Sequence, residues 1–280
     1  MRFTKCHGAG NDFIVIDARS LEIDWGELAQ KMCDRRLGVG ADGIIVIQTS
    51  ETADLRMRMF NPDGSEAEAC GNGLRCFAKY AADYALVTDA DFTVETKAGI
   101  RHATVFVNPD GSVSEAEVTM GAPHFAPEEI PARVIGCTTP VLNLELEVLD
   151  HTMPVNLVSM GNPHAVTFLT EGVQLYPLAA VGPAMEHHHV FPSRVNFEIA
   201  RVLGRHEIQA RVWERGAGET LACGSGACAI AVAAQLLGYC DAGVRVHLPG
   251  GVLTVTWNGG DSAVLLRGPV EQVFQGEWPD

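Results

Sequence analysis

The chain has 280 residues, 47% hydrophobic and 20% charged, enough for two domains with real cores and too apolar for a disordered chain. Asp and Glu outnumber Lys and Arg by 35 to 20, which excludes the basic footprint that nucleic acid or an anionic membrane surface selects. No apolar run reaches the ~20 residues that span a bilayer, and the run Phe13–Ile16 is too short for an export signal, so a soluble, cytoplasmic protein is expected.

In chain order, the first predicted element is a peripheral helix over Asp24–Arg36, with Asp24 as N-cap and Glu27 three residues on as its capping-box partner. Leu55–Phe60 alternates and predicts a strand. A loop rich in Gly, Asp and Glu follows, and then Leu74–Leu86, apolar except for Arg75, Lys79 and Asp83, predicts a helix inside a core. Short alternating runs at Phe92–Thr96, His102–Val107 and Val113–Met120 predict strands, with Asn108-Pro-Asp-Gly111 as a hairpin turn. His187, His188 and His189 are consecutive and cannot easily converge on one ion, so they are read as a loop before Phe191-Pro192. The series then returns: a strand at Ile208–Trp213, a similar loop, and Cys228–Leu237 (CAIAVAAQLL), apolar all round the helical wheel. Strands at Val244–Leu248, Val252–Trp257 and Ala263–Leu266 close it, punctuated by Asn258-Gly-Gly260.

The return is an internal repeat. Leu55–Ala81 aligns without a gap on Ile208–Ala234, with identical pairs that include Arg58/Arg211, Glu66/Glu219, Ala69/Ala222, Cys70/Cys223, Gly71/Gly224 and Gly73/Gly226. A repeat on this scale means a duplicated domain rather than a solenoid. The expected fold is therefore α+β, with two pseudo-symmetric domains, each a mostly antiparallel curled sheet around a central hydrophobic helix. Residues 1–121, joined by the C-terminal segment 270–280, form the expected first half, and residues 122–269 the second.

In both halves a cysteine precedes a Gly-x-Gly step at the start of the core helix: Cys70-Gly71-Asn72-Gly73 and Cys223-Gly224-Ser225-Gly226. A helix N-terminus presents unpaired N–H groups and partial positive charge, which lowers a cysteine pKa from about 8.5 to roughly 3.5–7.5 and can anchor a carboxylate. Two such thiols brought together by duplication could remove a proton from one face of a carbon and return one to the other, inverting the centre. The remaining cysteines, Cys6, Cys33, Cys76, Cys137, Cys228 and Cys240, are read as small buried hydrophobes. There is no C-x-x-C pair, and the spacings Cys70/Cys76 and Cys223/Cys228 are too wide for a zinc knuckle, so no metal is expected.

These motifs resemble those of diaminopimelate epimerases, within the wider group that contains proline racemase. The resemblance runs nearly end to end through Gly8-Ala-Gly-Asn-Asp-Phe13, Asn61-Pro-Asp-Gly-Ser-Glu66, Ala69-Cys-Gly-Asn-Gly73, Met160-Gly-Asn-Pro-His164, Val195-Asn-Phe197, Trp213-Glu-Arg-Gly-Ala-Gly-Glu-Thr220 and Ala222-Cys-Gly-Ser-Gly-Ala-Cys228. It implies interconversion of LL- and meso-2,6-diaminopimelate by Cys70 and Cys223, without pyridoxal phosphate, metal or nucleotide, in a homodimer. It assigns Asn11, Asn61, Asn162, Asn196 and Arg215 to the distal end of the substrate, with Glu214 nearby. Gly71, Asn72, Gly224 and Ser225 would hold the reacting carboxylate and amino group, while His164 and Glu214 would tune the thiols or orient the amine. One position departs from the pattern: Gly43 stands where some members have glutamine. A related amino-acid racemase, a thiol redox protein and a non-catalytic amino-acid binder are the competing readings.

Overall fold

A computed structural model describes residues 1–68, 70–134 and 136–279; Ala69, which opens the first cysteine motif, lies outside the described residues. The chain divides into two compact units, Met1–Thr119 with Arg267–Asp280, and Met120–Leu266.

The first unit begins with β1 (Arg2–Gly8) and β2 (Asn11–Asp17), an antiparallel pair. Helix α1 (Trp25–Cys33) is capped as the sequence indicates, Asp24 Oδ1 accepting from the Glu27 amide at 3.0 Å. Glu27 does not complete the capping box; its carboxylate reaches Lys31 Nζ at 2.6 Å. The helix stops at Cys33, short of the expected Arg36, because Asp34 turns its carboxylate onto the amides of Arg36 and Leu37, both at 2.7 Å. Strand β3 (Gly43–Gln48) then pairs parallel with β2, and β4 (Leu55–Phe60) antiparallel with β3. A short β5 (Glu66–Ala67) folds back on β4 and leads into α2 (Gly71–Asp83). Strand β6 (Asp91–Thr96) runs parallel to β4, followed by the antiparallel β7 (Gly99–Val107) and β8 (Val113–Thr119). Asn108 to Gly111 form the hairpin turn between β7 and β8, Gly111 taking φ 85°.

The second unit starts with β9 (Leu144–Val148), β10 (His151–Ser159) and β11 (Pro163–Phe168). A helix the sequence reading did not contain, α3 (Leu178–Glu186), follows a short 3-10 turn; Pro183 inside it hides it from a pattern-based reading. From here the order of the first unit recurs. Strand β12 (Asn196–Gly204) is parallel to β11, β13 (Glu207–Glu214) antiparallel to β12, and β14 (Gly218–Thr220) folds back on β13 before α4 (Gly224–Leu236). Strand β15 (Gly243–Leu248) is parallel to β13 and β16 (Gly251–Thr256) antiparallel to β15. After β17 (Leu265–Pro269) the chain ends in β18 (Glu271–Glu277), which pairs antiparallel with β1.

Each central helix is wrapped by strands. Helix α2 packs on β1, β2, β3, β4, β7 and β8, and α4 on β10, β11, β12, β15 and β16. Helix α4 is buried from Gly226 through Ala234, as an all-round apolar helix must be. Among the described residues no helix is long and apolar enough to cross a membrane.

Candidate active site

Each loop that feeds a central helix is pinned by the same ion pair. Arg58 on β4 makes a two-pronged contact with Glu66 at 2.7 and 3.0 Å, and Arg211 on β13 makes the equivalent contact with Glu219 at the same distances. These are identical pairs of the internal repeat, so duplication kept the clamp as well as the cysteine. The chain then turns into the helix with cysteine as N-cap. Cys70 (φ −137°, ψ 123°) and Cys223 (φ −118°, ψ 115°) share one extended conformation, and their carbonyls accept the first helical bonds, from Leu74 at 2.7 Å and Ala227 at 2.9 Å. Both helices therefore begin at the glycine directly after the cysteine, several residues before the expected starts at Leu74 and Cys228. The amides of the first turn have no carbonyl to bond inside the helix, and in α4 the Gly226 amide turns to the Cys223 sulfur.

Around Cys70 the polar groups are charged. Its half-buried sulfur donates to Asn11 Oδ1 at 3.7 Å, and Asn72 Nδ2 donates to the same oxygen at 3.2 Å. Asn11 Nδ2 in turn donates to Asp42 at 2.7 Å. Asp42 and Asp12 share Arg35, each at 2.7 Å, and Lys5 reaches Asp12 at 2.6 Å. Partial burial of Asp12 works to raise its pKa, but Arg35 and Lys5 outweigh it and hold the carboxyl well below the usual range. In the second turn of α2 lies Arg75, fully buried, with its guanidinium on Asn72 Oδ1 at 2.8 Å.

Around Cys223 the groups form a neutral-to-acidic nest. The sulfur accepts from the Gly226 amide at 3.4 Å and lies 3.5 Å from Ser225 Oγ. Ser225 receives Asn162 Nδ2 at 3.2 Å, Asn162 Oδ1 meets His164 Nε2 at 2.9 Å, and His164 Nδ1 lies 2.7 Å from Glu198. The helix-start argument predicts a lowered thiol pKa here, and the structure corrects it for Cys223. Burial above all, with the nearby Glu214 carboxyl adding to it, pushes this thiol well above its ordinary value, against the opposing donors Ser225 and Gly226.

The other expected residues fall into two groups. Asn11, Asn72, Asn162, His164 and Ser225 lie against the cysteine loops as described. Glu214 is half-buried at the end of β13, accepting from the Thr220 hydroxyl. Asn196 is buried with both ends of its amide engaged, donating to the Pro163 carbonyl and accepting from the Arg215 amide, each at 2.9 Å. Arg215 is exposed, its guanidinium on the Ser193 carbonyl at 3.1 Å. Asn61 is half-buried in a turn and donates to Ser65 at 3.0 Å. A side chain at Gly43 has no room, since a Cβ would lie 2.8 Å from the Phe60 carbonyl oxygen.

Two acids escaped the sequence reading. Glu186, at the end of α3, accepts from Trp213 Nε1 at 2.8 Å and the Gly216 amide at 2.9 Å, and so shapes the turn that carries Glu214 and Arg215. Glu198 is fully buried on β12; its signal was a lone carboxylate within the apolar run Val195–Ala200. Of the other cysteines, Cys6, Cys33, Cys76, Cys228 and Cys240 are buried, and burial drives Cys6 up to about 12 and Cys33 to about 11. Cys137 departs from that reading and is exposed. His187 Nδ1 and His188 Nε2 lie on the Pro183 and Glu147 carbonyls.

The family model for diaminopimelate epimerase matches residues 3–126 and 156–273. The diaminopimelate epimerase of Moorella thermoacetica is 48% identical over 281 residues, covering 100% of this chain and 99% of its own. That of Methanococcus maripaludis is 44% identical over 278 residues, covering 99% of each. Among solved structures, a hydroxyproline epimerase from Agrobacterium vitis with bound trans-4-hydroxy-L-proline shares the fold at TM-score 0.72 and 16% identity, covering 99% of this chain and 91% of the other. A PhzF-family phenazine biosynthesis protein from Bacillus anthracis does so at TM-score 0.69 and 21% identity, covering 100% and 99%.

Proposed function

The chain belongs to the diaminopimelate epimerase family, and on that premise we propose that it interconverts LL- and meso-2,6-diaminopimelate, in lysine and peptidoglycan-precursor synthesis, by exchanging protons between the α-carbon and two thiols. The observation that carries this reading is the repeated cysteine N-cap: one backbone geometry, built twice, that sets a sulfur at the start of a core helix. In the proposed cycle one sulfur begins as thiolate and the other as thiol. Because burial above all, with the Glu214 carboxyl beside it, pushes the Cys223 thiol up, Cys70 is assigned the opening base. Its thiolate takes the α-proton and becomes S–H. The electron pair of the broken C–H bond delocalises into the carboxylate, and Cys223 then delivers its proton to the opposite face and is left as thiolate. The reverse reaction exchanges the roles, and the pair titrates as one coupled system.

Amides of Gly71, Asn72, Gly224 and Ser225 are proposed to hold the reacting carboxylate and amino group, charge that grows in the transition state being met by N–H donors already in place. His164 and Glu214 are assigned support of the thiols and the amine. Asn11, Asn61, Asn162, Asn196 and Arg215 are assigned to the distal ammonium and carboxylate, amides suiting the mixed charge and Arg215 a bidentate clamp. The two bonds that Asn196 already makes support a role in shaping the Arg215 turn. No electron-sink cofactor is needed in this scheme. A cytoplasmic location and a homodimer complete the reading; Val273 and Phe274, 55% and 45% exposed on β18, offer apolar surface for a second copy, which light scattering tests.

In deuterated buffer, meso product formed from the LL substrate should carry deuterium at the inverted carbon. Diaminopimelate binding without any solvent exchange would reduce the chain to an amino-acid binder and end the proposal.

A further inference from the structure

Glu198 and His164 face each other with both side chains fully buried, Glu198 Oε1 2.7 Å from His164 Nδ1, while Glu198 Oε2 meets no hydrogen-bond partner. An ionised carboxylate with one bare buried oxygen is expensive, whereas a neutral acid leaves only a carbonyl-type oxygen unmet. Burial favours the neutral form and raises the Glu198 pKa, with His164 pulling the other way. A neutral Glu198 must donate to Nδ1, and an imidazole that accepts at Nδ1 carries its proton on Nε2.

From that point each link is determined by the one before. Nε2–H donates to Asn162 Oδ1 at 2.9 Å; Asn162 therefore presents Nδ2 to Ser225 Oγ at 3.2 Å, and the Ser225 hydroxyl hydrogen is left for Cys223 Sγ at 3.5 Å. We propose that Glu198 is a positioning residue of the inversion: by donating to His164 it fixes the direction of a hydrogen-bond chain that ends with a donor on the Cys223 sulfur. Gly226 makes room for it, since a Cβ there would lie 2.9 Å from Glu198 Oε1. The titratable groups facing Cys223 are then His164 on β11, Glu198 on β12 and Glu214 on β13. The chain of donors steadies the sulfur when it is anionic, offsetting Glu214. This proposal rests on the reading that Cys223 exchanges a proton with substrate.

The test compares Glu198→Gln, whose amide can still donate to Nδ1, with Glu198→Leu, which cannot. E198Q should keep kcat within about threefold, while E198L should lose on the order of tenfold in kcat, with KM little changed, the scale of one hydrogen bond to a charged atom. The alkylation rate of Cys223, read by peptide mass spectrometry, should follow the same order. Equal damage in both variants would make the ionised carboxylate the working form and overturn the proposal, as would a fully active E198L. Should E198L fail to fold, the infrared difference between wild type and E198Q decides: a protonated carboxyl carbonyl band at neutral pH supports the proposal, and a carboxylate doublet sinks it. The infrared and alkylation readings stand even if the wild type does not turn over diaminopimelate, so failure of the chain of donors and failure of the epimerase reading are told apart.

Discussion

The two cysteine loops have nearly one backbone and quite different surroundings. Cys70 is half-buried and donates to an asparagine that hangs from a cluster of aspartates, arginine and lysine, with Arg75 buried in the helix behind it. Cys223 is buried, accepts from its own helix, and is backed by a carboxyl–imidazole pair, while the position equivalent to Arg75 is Cys228 in a helix without a charged residue. Duplication supplied two matched caps, and divergence of the residues behind them gave each sulfur its own electrostatic setting. A two-thiol proton exchange runs with one sulfur charged and its counterpart neutral, and unequal settings favour one of the two such states.

The sharpest way to break this comparison is to remove each sulfur. Cys70→Ala and Cys223→Ala should each abolish inversion, a loss of at least ~10²–10⁴-fold from general acid–base catalysis, measured by polarimetry or coupled assay; full activity in either variant overturns the two-base scheme. Making the first helix resemble the second comes next. Arg75→Cys removes the guanidinium that holds Asn72 and should cost about 2 kcal/mol in denaturant unfolding of the first unit, together with activity, whereas a neutral result would mean that the buried charge is dispensable.

The clamps give a smaller contrast. Arg58→Ala should cost about 1 kcal/mol. Arg211→Ala should cost more, because Arg211 also donates to the carbonyls of Val173 and Tyr176 at 2.8 and 2.9 Å; equal urea midpoints for the two variants would contradict that ordering. The mildest test is pH. Asp12 is held below the carboxylate range, so its contribution is present at neutral pH and lost as pH falls through the acidic range. Glu198 is raised, so its contribution is fullest in acid and lost as pH rises through the raised value. Amides of β2 should therefore lose hydrogen-exchange protection first on acidification, and those of β12 first as pH rises, after correction for intrinsic rates.

Much of the scaffold could be read without coordinates because it is written in periodicity. Leu55–Phe60 is a strand end to end, and the apolar stretch of α4 could lie nowhere but in a core. The helix starts were harder, because Gly-x-Gly looks like loop when its function as a first turn depends on the cysteine capping it. Cys70 and Cys223 were legible through repetition, a signal independent of local propensity. The raised Cys223 thiol was not, since it depends on how deeply the folded strands bury the sulfur and on the Glu214 carboxyl set beside it. Glu198 itself stood in plain sight as an acid within an apolar strand, but only the His164 side chain facing it gives that position meaning.

The pairing of β18 with β1 has a bearing on how the polypeptide matures. Every residue of the second unit precedes Glu271–Glu277 in the chain, so that unit can complete its core without this strand, whereas the first keeps an unfilled sheet position until it is supplied. Released chains truncated short of residue 271 should accordingly show a protease-resistant C-terminal unit beside an N-terminal one still open to cleavage.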